Sequence, residues 1–236
     1  MYENKKIGVV LPAYNEEQNI KKAIKDFYCN IYNVEVIVVD NNSKDNTNKI
    51  ASRTRAKVVK EYKQGYGAAM RRGMYEAVYT HGCDIIFTVE PDDTFTAKDI
   101  PKFLEYIDSG FDVVFGTRTN KSTIMKGAKM GKFLRYGNIV VAKLLEYLHF
   151  KNLSMTDVGC SFKCMTLKAY LKMKPYFTKY DNSFSPDMMI SCAKAKLKCV
   201  EIPVIYKKRV GDSSITDTHW KSFKLGMKMI KNIIVR

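Results

Sequence analysis

Two carboxylates flank a proline in Glu90-Pro91-Asp92, directly after an apolar run that ends at Val89. Alternate positions just past a strand can aim two carboxylates at one divalent cation. Oxygen ligands of this kind suit Mg²⁺ or Mn²⁺ shared with diphosphate oxygens. A cation so held stabilises the charge that develops on a leaving diphosphate. The same residues also fit an acidic turn before the next helix, with Asp92 or Asp93 paired to a lysine. A second polar cluster, Asp40-Asn41-Asn42-Ser43, can hold uracil or guanine and a ribose, or can close an Asx-rich turn. A third carboxylate, Asp157, sits in Thr156-Asp-Val-Gly before an apolar segment. It can orient an acceptor, take a proton from an attacking hydroxyl, or cap backbone amides. Two other chemistries lack their signatures. The first strand is followed by Pro12-Ala-Tyr-Asn instead of G-x-G-x-x-G, and Gln64-Gly-Tyr-Gly lacks the Lys-Ser or Lys-Thr of a P-loop and reads as a tight turn.

The elements around these residues must position them. Residues 7–11, 34–39, 83–89 and 111–115 are short apolar runs of the kind that parallel strands buried on both faces display. Helix-period stretches separate them, with inner faces formed by Ile20, Ala23, Ile24 and Phe27, by Met70, Met74, Ala77 and Val78, and by Ile100, Phe103, Leu104 and Ile107. Asn15 and Gln18 have the spacing of a reciprocal cap for the first helix. Val58-Val-Lys reads as an edge strand. Such alternation predicts right-handed crossovers and an α/β fold with a mostly parallel central sheet flanked by helices. Ligands bind beyond the carboxyl ends of such strands, where residues 14–16, 40–43 and 90–94 cluster.

The second half is less regular. Residues 118–132 are basic and glycine-containing and read as a mobile loop. Residues 133–148 form a helix with Gly137, Val140, Val141, Leu144, Leu145 and Leu148 as its buried stripe. Ser185-Pro-Asp-Met reads as a capped helix start with proline first, and residues 200–206 as a strand. There is no internal repeat and no clean linker.

The 236 residues are enough for one domain with a substantial core, and 46 % of them are apolar. Forty basic against 24 acidic residues give a net charge of +16, which draws polyanions: nucleic acid, anionic lipid or phosphorylated substrates. Ordered carboxylates, with no zinc-finger spacing and no RRM aromatic motif, argue against nucleic acid. Six cysteines without a CxxC pair read as reduced core residues of a cytosolic protein. No signal peptide is evident, and no run of about eighteen uncharged apolar residues exists to span a membrane. Near the C-terminus, Trp220, Phe223, Met227, Ile230 and Ile234 share one helical face, and Lys221, Lys224, Lys228 and Lys231 share another. That pattern suits a helix in an anionic membrane interface, or one docked on the domain with its lysines in water.

In order and spacing, several stretches together resemble the family 2 glycosyltransferases of the GT-A fold. The similarity is greatest to the branch that contains dolichyl-phosphate mannosyltransferase and bacterial polyprenyl-phosphate sugar transferases. The stretches are Val10-Leu-Pro-Ala-Tyr-Asn-Glu-Glu, Ile37-Val-Val-Asp-Asn-Asn-Ser, Gly65-Tyr-Gly-Ala-Ala, Glu90-Pro-Asp-Asp, Phe115-Gly-Thr-Arg, Asp157-Val-Gly-Cys-Ser-Phe-Lys and Glu201-Ile-Pro-Val. They span residues 6–214. The resemblance implies a GT-A catalytic domain over 1–214, followed by the basic amphipathic helix of 215–236. It implies that Pro12, Ala13, Tyr14, Glu16 and Asp40 line the nucleotide pocket. Glu90 and Asp92 stand where the family has D-x-D, with Thr94 at the position of a further ligand in some relatives. The glutamate keeps the charge and adds a methylene.

The resemblance further implies that Arg118, Arg135 and Arg209 face the donor diphosphate or acceptor phosphate. Relatives read G-x-S-K after the last arginine, where this chain has Ser213-Ser214. The implied reaction is Mg²⁺- or Mn²⁺-dependent, inverting transfer from a UDP- or GDP-sugar to a polyprenyl or dolichyl phosphate. Such an acceptor is already an anion, so Asp157 would position it rather than act as a base. The expected location is cytoplasmic, at the cytosolic face of an anionic membrane, held peripherally or by a membrane-protein partner. Two alternatives stand beside this one: transfer to a saccharide hydroxyl with Asp157 as base, and an inactive nucleotide-sugar-binding scaffold.

Overall fold

The computed structural model describes residues 4–30, 33–150, 153–210 and 219–236. The apolar runs form strands of one seven-stranded sheet: β1 (Ile7–Ala13), β2 (Val34–Asp40), β3 (Lys57–Lys60), β4 (Ile85–Thr88), β5 (Val113–Thr117), β6 (Lys163–Thr166) and β7 (Cys199–Pro203), in the order β3-β2-β1-β4-β6-β5-β7. All pairings are parallel except the two that β6 makes with β4 and β5. Ala13 lies level with Asp40, and Val10 with Thr88, so the exits of β1, β2 and β4 open at one end of the sheet.

Each strand alternates its side chains between the two faces. Val9, Leu11, Val36 and Val38 pack on one side with α1 (Ile20–Asn30) and α4 (Ile100–Asp108). Val10, Ile37 and Val39 pack on the other with α3 (Tyr66–Tyr75), α5 (Lys132–His149) and α7 (Phe184–Lys194). Burying each such side chain stabilises the fold by roughly 1.5–3 kcal/mol. Gly73 lets α3 lie directly on the sheet, because a Cβ there would overlap Val10 and Val39. Short helices α2 (Thr47–Ala51) and α6 (Leu167–Met173) complete the connections, and α8 (His219–Val235) follows β7.

Three expectations change. Asn15 does not cap α1. It adopts φ 57°, and its side chain accepts from the Lys44 amide at 2.8 Å. The amides of Asn15, Glu16 and Glu17 are taken by Ser43, Thr47 and Asp45, so the β2 exit caps the β1 exit. Helix α7 begins at Phe184, one residue before Ser185. Ser185 instead donates to the Val158 carbonyl at 2.6 Å and accepts from the buried Lys163 at 2.8 Å. On α5, Val141, Ala142 and Leu145 are buried, whereas Gly137, Val140 and Leu148 face outward beside exposed Phe133 and Tyr136.

Helix α8 docks through Met229 and Ile233, not through the aromatic stripe. His149 bonds the Ile233 carbonyl at 2.8 Å, Lys228 pairs with Asp181 at 2.7 Å, and Arg236 pairs with buried Asp187. Trp220, Phe223, Met227 and Ile234 remain exposed, with Trp220 stacked on Phe223. Among the described residues no helix is long and apolar enough to cross a membrane.

Candidate active site

The β4 exit divides its acidic residues into two jobs. Asp93 adopts φ 65° and turns away to Lys22 at 2.5 Å and Lys207 at 2.8 Å, which is the acidic-turn role. Asp92 is buried and turned the other way. Its Oδ1 accepts from the Thr94 amide at 3.1 Å and from Oγ1 at 2.5 Å, so Thr94 orients Asp92. Glu90 is partly buried beside it. Burial first, and then the Asp92 charge, push the Glu90 carboxyl up to about 7, against the pull of Arg209 and Arg118.

Arg209 bridges the β1 and β4 exits. Its guanidinium lies 3.3 Å from Asp92 Oδ2 and 3.4 Å from Glu16 Oε1, and among the described residues its buried Nε has no partner. The segment carrying it runs along β4's exit: Lys207 donates to the Thr94 carbonyl and Val210 to the Asp92 carbonyl. Asn19 ties that segment to Glu16, donating to Glu16 Oε2 at 2.9 Å and to the Val210 carbonyl at 3.0 Å. Burial raises the Glu16 carboxyl above its usual range, with Asn19 and Arg209 opposing.

Pro12, Ala13, Tyr14 and Asp40 sit on the adjoining β1–β2 exit. Asp40 is fixed by the Ser43 amide and the Asn48 side chain, both at 3.0 Å. Tyr14 is exposed there. Gly211, Ser213 and Ser214, where the expected acceptor grip differs from relatives, lie outside the described residues.

Asp157 is fully buried and holds Arg118. The guanidinium forks onto the carboxylate at 2.8 and 2.9 Å, and the amides of Arg118 and Gly159 add bonds at 3.1 and 2.9 Å. Burial alone would raise the Asp157 carboxyl. Arg118 outweighs it and holds the group below the usual range. A carboxylate so engaged is a counter-ion and a poor proton acceptor. Arg135 donates to the Thr119 carbonyl at 2.6 Å, one residue from Arg118, and is not part of the cavity lining.

A cavity of about 450 Å³ joins the acidic residues of the β4 exit to Arg118 and Arg209, whereas Pro12, Ala13, Tyr14, Glu16, Asp40 and Asp157 do not line it. Glu90, Asp92, Arg118, Arg209 and Tyr66 line one part. Phe133, Leu134, Val140 and Val141 of α5 and Phe223, Met227 and Ile230 of α8 line another. Phe133, Val140, Phe223 and Met227 are both lining and exposed, so the cavity opens at the surface between the two helices. Tyr66 was hidden in sequence inside what reads only as a turn. Gly65 supplies φ 142° at that turn, where a Cβ would strike the Tyr180 carbonyl. Burial, then Glu90, raise the Tyr66 hydroxyl well above its usual value.

Among the described residues no three His, Cys, Asp or Glu side chains are grouped to hold a metal. Glu90 and Asp92 line one cavity, and paired carboxylate oxygens of this kind suit a cation that completes its shell from a bound molecule, as Mg²⁺ does on phosphates.

The model of glycosyl transferase family 2 matches residues 8–174. A dolichyl-phosphate hexose transferase of Haloferax volcanii is 31 % identical over 213 residues, covering 89 % of this chain and 86 % of its own. An uncharacterized glycosyltransferase of Mycobacterium bovis is 28 % identical, covering 88 % of each chain. Among solved structures, glucosyl-3-phosphoglycerate synthase of Mycobacterium tuberculosis, in complex with Mn²⁺, UDP and glucosyl-3-phosphoglycerate, superposes with a TM-score of 0.73 at 17 % identity, covering 99 % of this chain and 80 % of that one. The fold is of the GT-A type, and the chain belongs to glycosyl transferase family 2.

Proposed function

We propose that this family 2 glycosyltransferase moves a sugar from a UDP- or GDP-sugar to the phosphate of a polyprenyl or dolichyl carrier, with inversion at the anomeric carbon. One observation carries this reading: a single cavity is lined by carboxylates and arginines at the β4 exit and by apolar side chains of α5 and α8 that reach the surface. A phosphate on a long apolar chain needs both. The dolichyl-phosphate specificity in the name of the Haloferax relative, and the UDP and Mn²⁺ of the mycobacterial structure, support the two halves of the reading.

In the reaction an acceptor phosphate oxygen bonds to the anomeric carbon as the bond to the donor diphosphate breaks. The nucleoside diphosphate leaves with the electron pair. The acceptor is an anion at neutral pH, so no base is needed, which accords with an Asp157 committed to Arg118. Asp92, with Glu90, would hold Mg²⁺ or Mn²⁺, and that ion supplies charge stabilisation to the departing diphosphate. Arg118 and Arg209 balance phosphate charge within the cavity, and Arg135 steadies the strand exit that carries Arg118. Pro12, Ala13, Tyr14, Glu16 and Asp40 take the base and ribose. Residues 1–214 form the catalytic unit. The exposed stripe of α8 within 215–236 rests on an anionic membrane at its cytosolic face.

Calorimetric titration of a panel of UDP- and GDP-sugars, with and without Mn²⁺, tests the donor half. Micromolar binding that requires the ion and one base is expected, and Asp92→Ala should abolish it. Undiminished binding by the Asp92→Ala protein would count against the reading.

A further inference from the structure

Glu201 lies on β7, level with Phe115 of β5, and does not line the cavity. Its carboxylate is nevertheless tied to the site. It accepts from the Thr156 amide at 3.0 and 2.9 Å, from Thr156 Oγ1 at 2.6 Å and from the Asp157 amide at 3.0 Å. Thr156 and Asp157 belong to no helix or strand, so this side chain supplies acceptors that a neighbouring strand would otherwise provide.

What Glu201 holds is the carrier of Arg118's counter-ion. Asp157 forks onto Arg118, and Arg118 faces the cavity with Glu90 and Asp92. Thr156 adds a second route. Its hydroxyl meets Thr117 at 2.8 Å and Thr119 at 2.7 Å, the residues on either side of Arg118. One carboxylate thereby fixes both the partner and the chain neighbours of the arginine.

We propose that Glu201 is a positioning residue that sets the Arg118 guanidinium against the substrate phosphate, acting through Thr156 and Asp157. The proposal rests on Arg118 holding phosphate, as the transferase reading has it. Glutamine at 201 keeps the shape but turns an amide NH₂ toward donors, leaving too few acceptors for the bonds to Thr156 and Asp157.

The test is a double-mutant cycle on the full chain, comparing wild type, Glu201→Gln, Arg118→Ala and the double variant. The readout is kcat/KM for sugar transfer to a polyprenyl phosphate, with urea unfolding alongside. Glu201→Gln should lower kcat/KM at least tenfold, and the double variant should be no worse than Arg118→Ala within about twofold. Fold losses that multiply, or a Glu201→Gln protein of full activity, overturn the proposal. Thr156→Val serves if Glu201→Gln does not fold: it deletes the hydroxyl shared by Glu201, Thr117 and Thr119, and its loss should likewise vanish in the Arg118→Ala background. Full activity of Arg118→Ala, or an inactive wild type, instead removes the phosphate-holding reading beneath it.

Discussion

Burial and the Asp92 charge together raise the Glu90 carboxyl to about 7, against the pull of Arg209 and Arg118. Between its unfolded value of 4.5 and about 7, the folded chain binds the proton more tightly than the unfolded chain. Stability contributed by the protonated form is therefore present below pH 4.5 and lost as pH rises through 7. Glu90→Gln should stabilise the ion-free protein at pH 8 and change its stability little at pH 4. Urea unfolding in chelator at both values measures this, and a variant that is less stable at pH 8 contradicts it. The same variant should lose Mn²⁺-dependent donor binding, so that site and stability oppose each other at one position. Glu90 and Asp92, which line the same cavity, were legible as a pair because both sit in one tripeptide. Arg118 and Asp157 are 39 residues apart, and no spacing rule joins them. Glu201 carried a weaker signal: an acidic residue inside the apolar run Val200-Glu-Ile, which demands partners once buried.

At the scale of elements, β-branched runs and 3.6-residue periodicity identified the strands and helices that flank the site. They missed what other elements decide. The entry of α1 is capped from residues 43–47, just past the neighbouring strand β2, so no local cap pattern could announce it. Apolar residues on α5 split between the core and the cavity mouth, and periodicity alone counts both as core. The close seat of α3 on the sheet depends on Gly73. Gly73→Ala should push α3 from Val10 and Val39, destabilising the fold by roughly 1–3 kcal/mol in denaturant unfolding despite alanine's better helix propensity. An unchanged midpoint would mean that α3 can shift freely. Because Tyr66 opens the same helix, donor binding should weaken along with stability.

At the scale of the whole molecule, a net charge of +16 combines with an apolar stripe that α8 leaves exposed. Docking uses Met229 and Ile233, so Trp220 and Phe223 contribute little to folding. Trp220→Glu should abolish sedimentation with phosphatidylserine vesicles and leave unfolding stability within about 0.5 kcal/mol. Binding should also weaken as salt rises, since the lysines act through a screened field. Vesicle binding that survives Trp220→Glu would assign the stripe another role. The proposed function requires that one cavity join an ion-bound nucleotide sugar to a lipid phosphate. Its most direct test is transfer of radiolabelled sugar from a UDP- and GDP-sugar panel to a short polyprenyl phosphate, followed by organic extraction. Label is expected in the organic phase with Mn²⁺ and wild-type protein, at least a hundredfold less with Asp92→Asn, and none in chelator. Extracted label that persists undiminished with Asp92→Asn or in chelator, or no label from any donor, would contradict it.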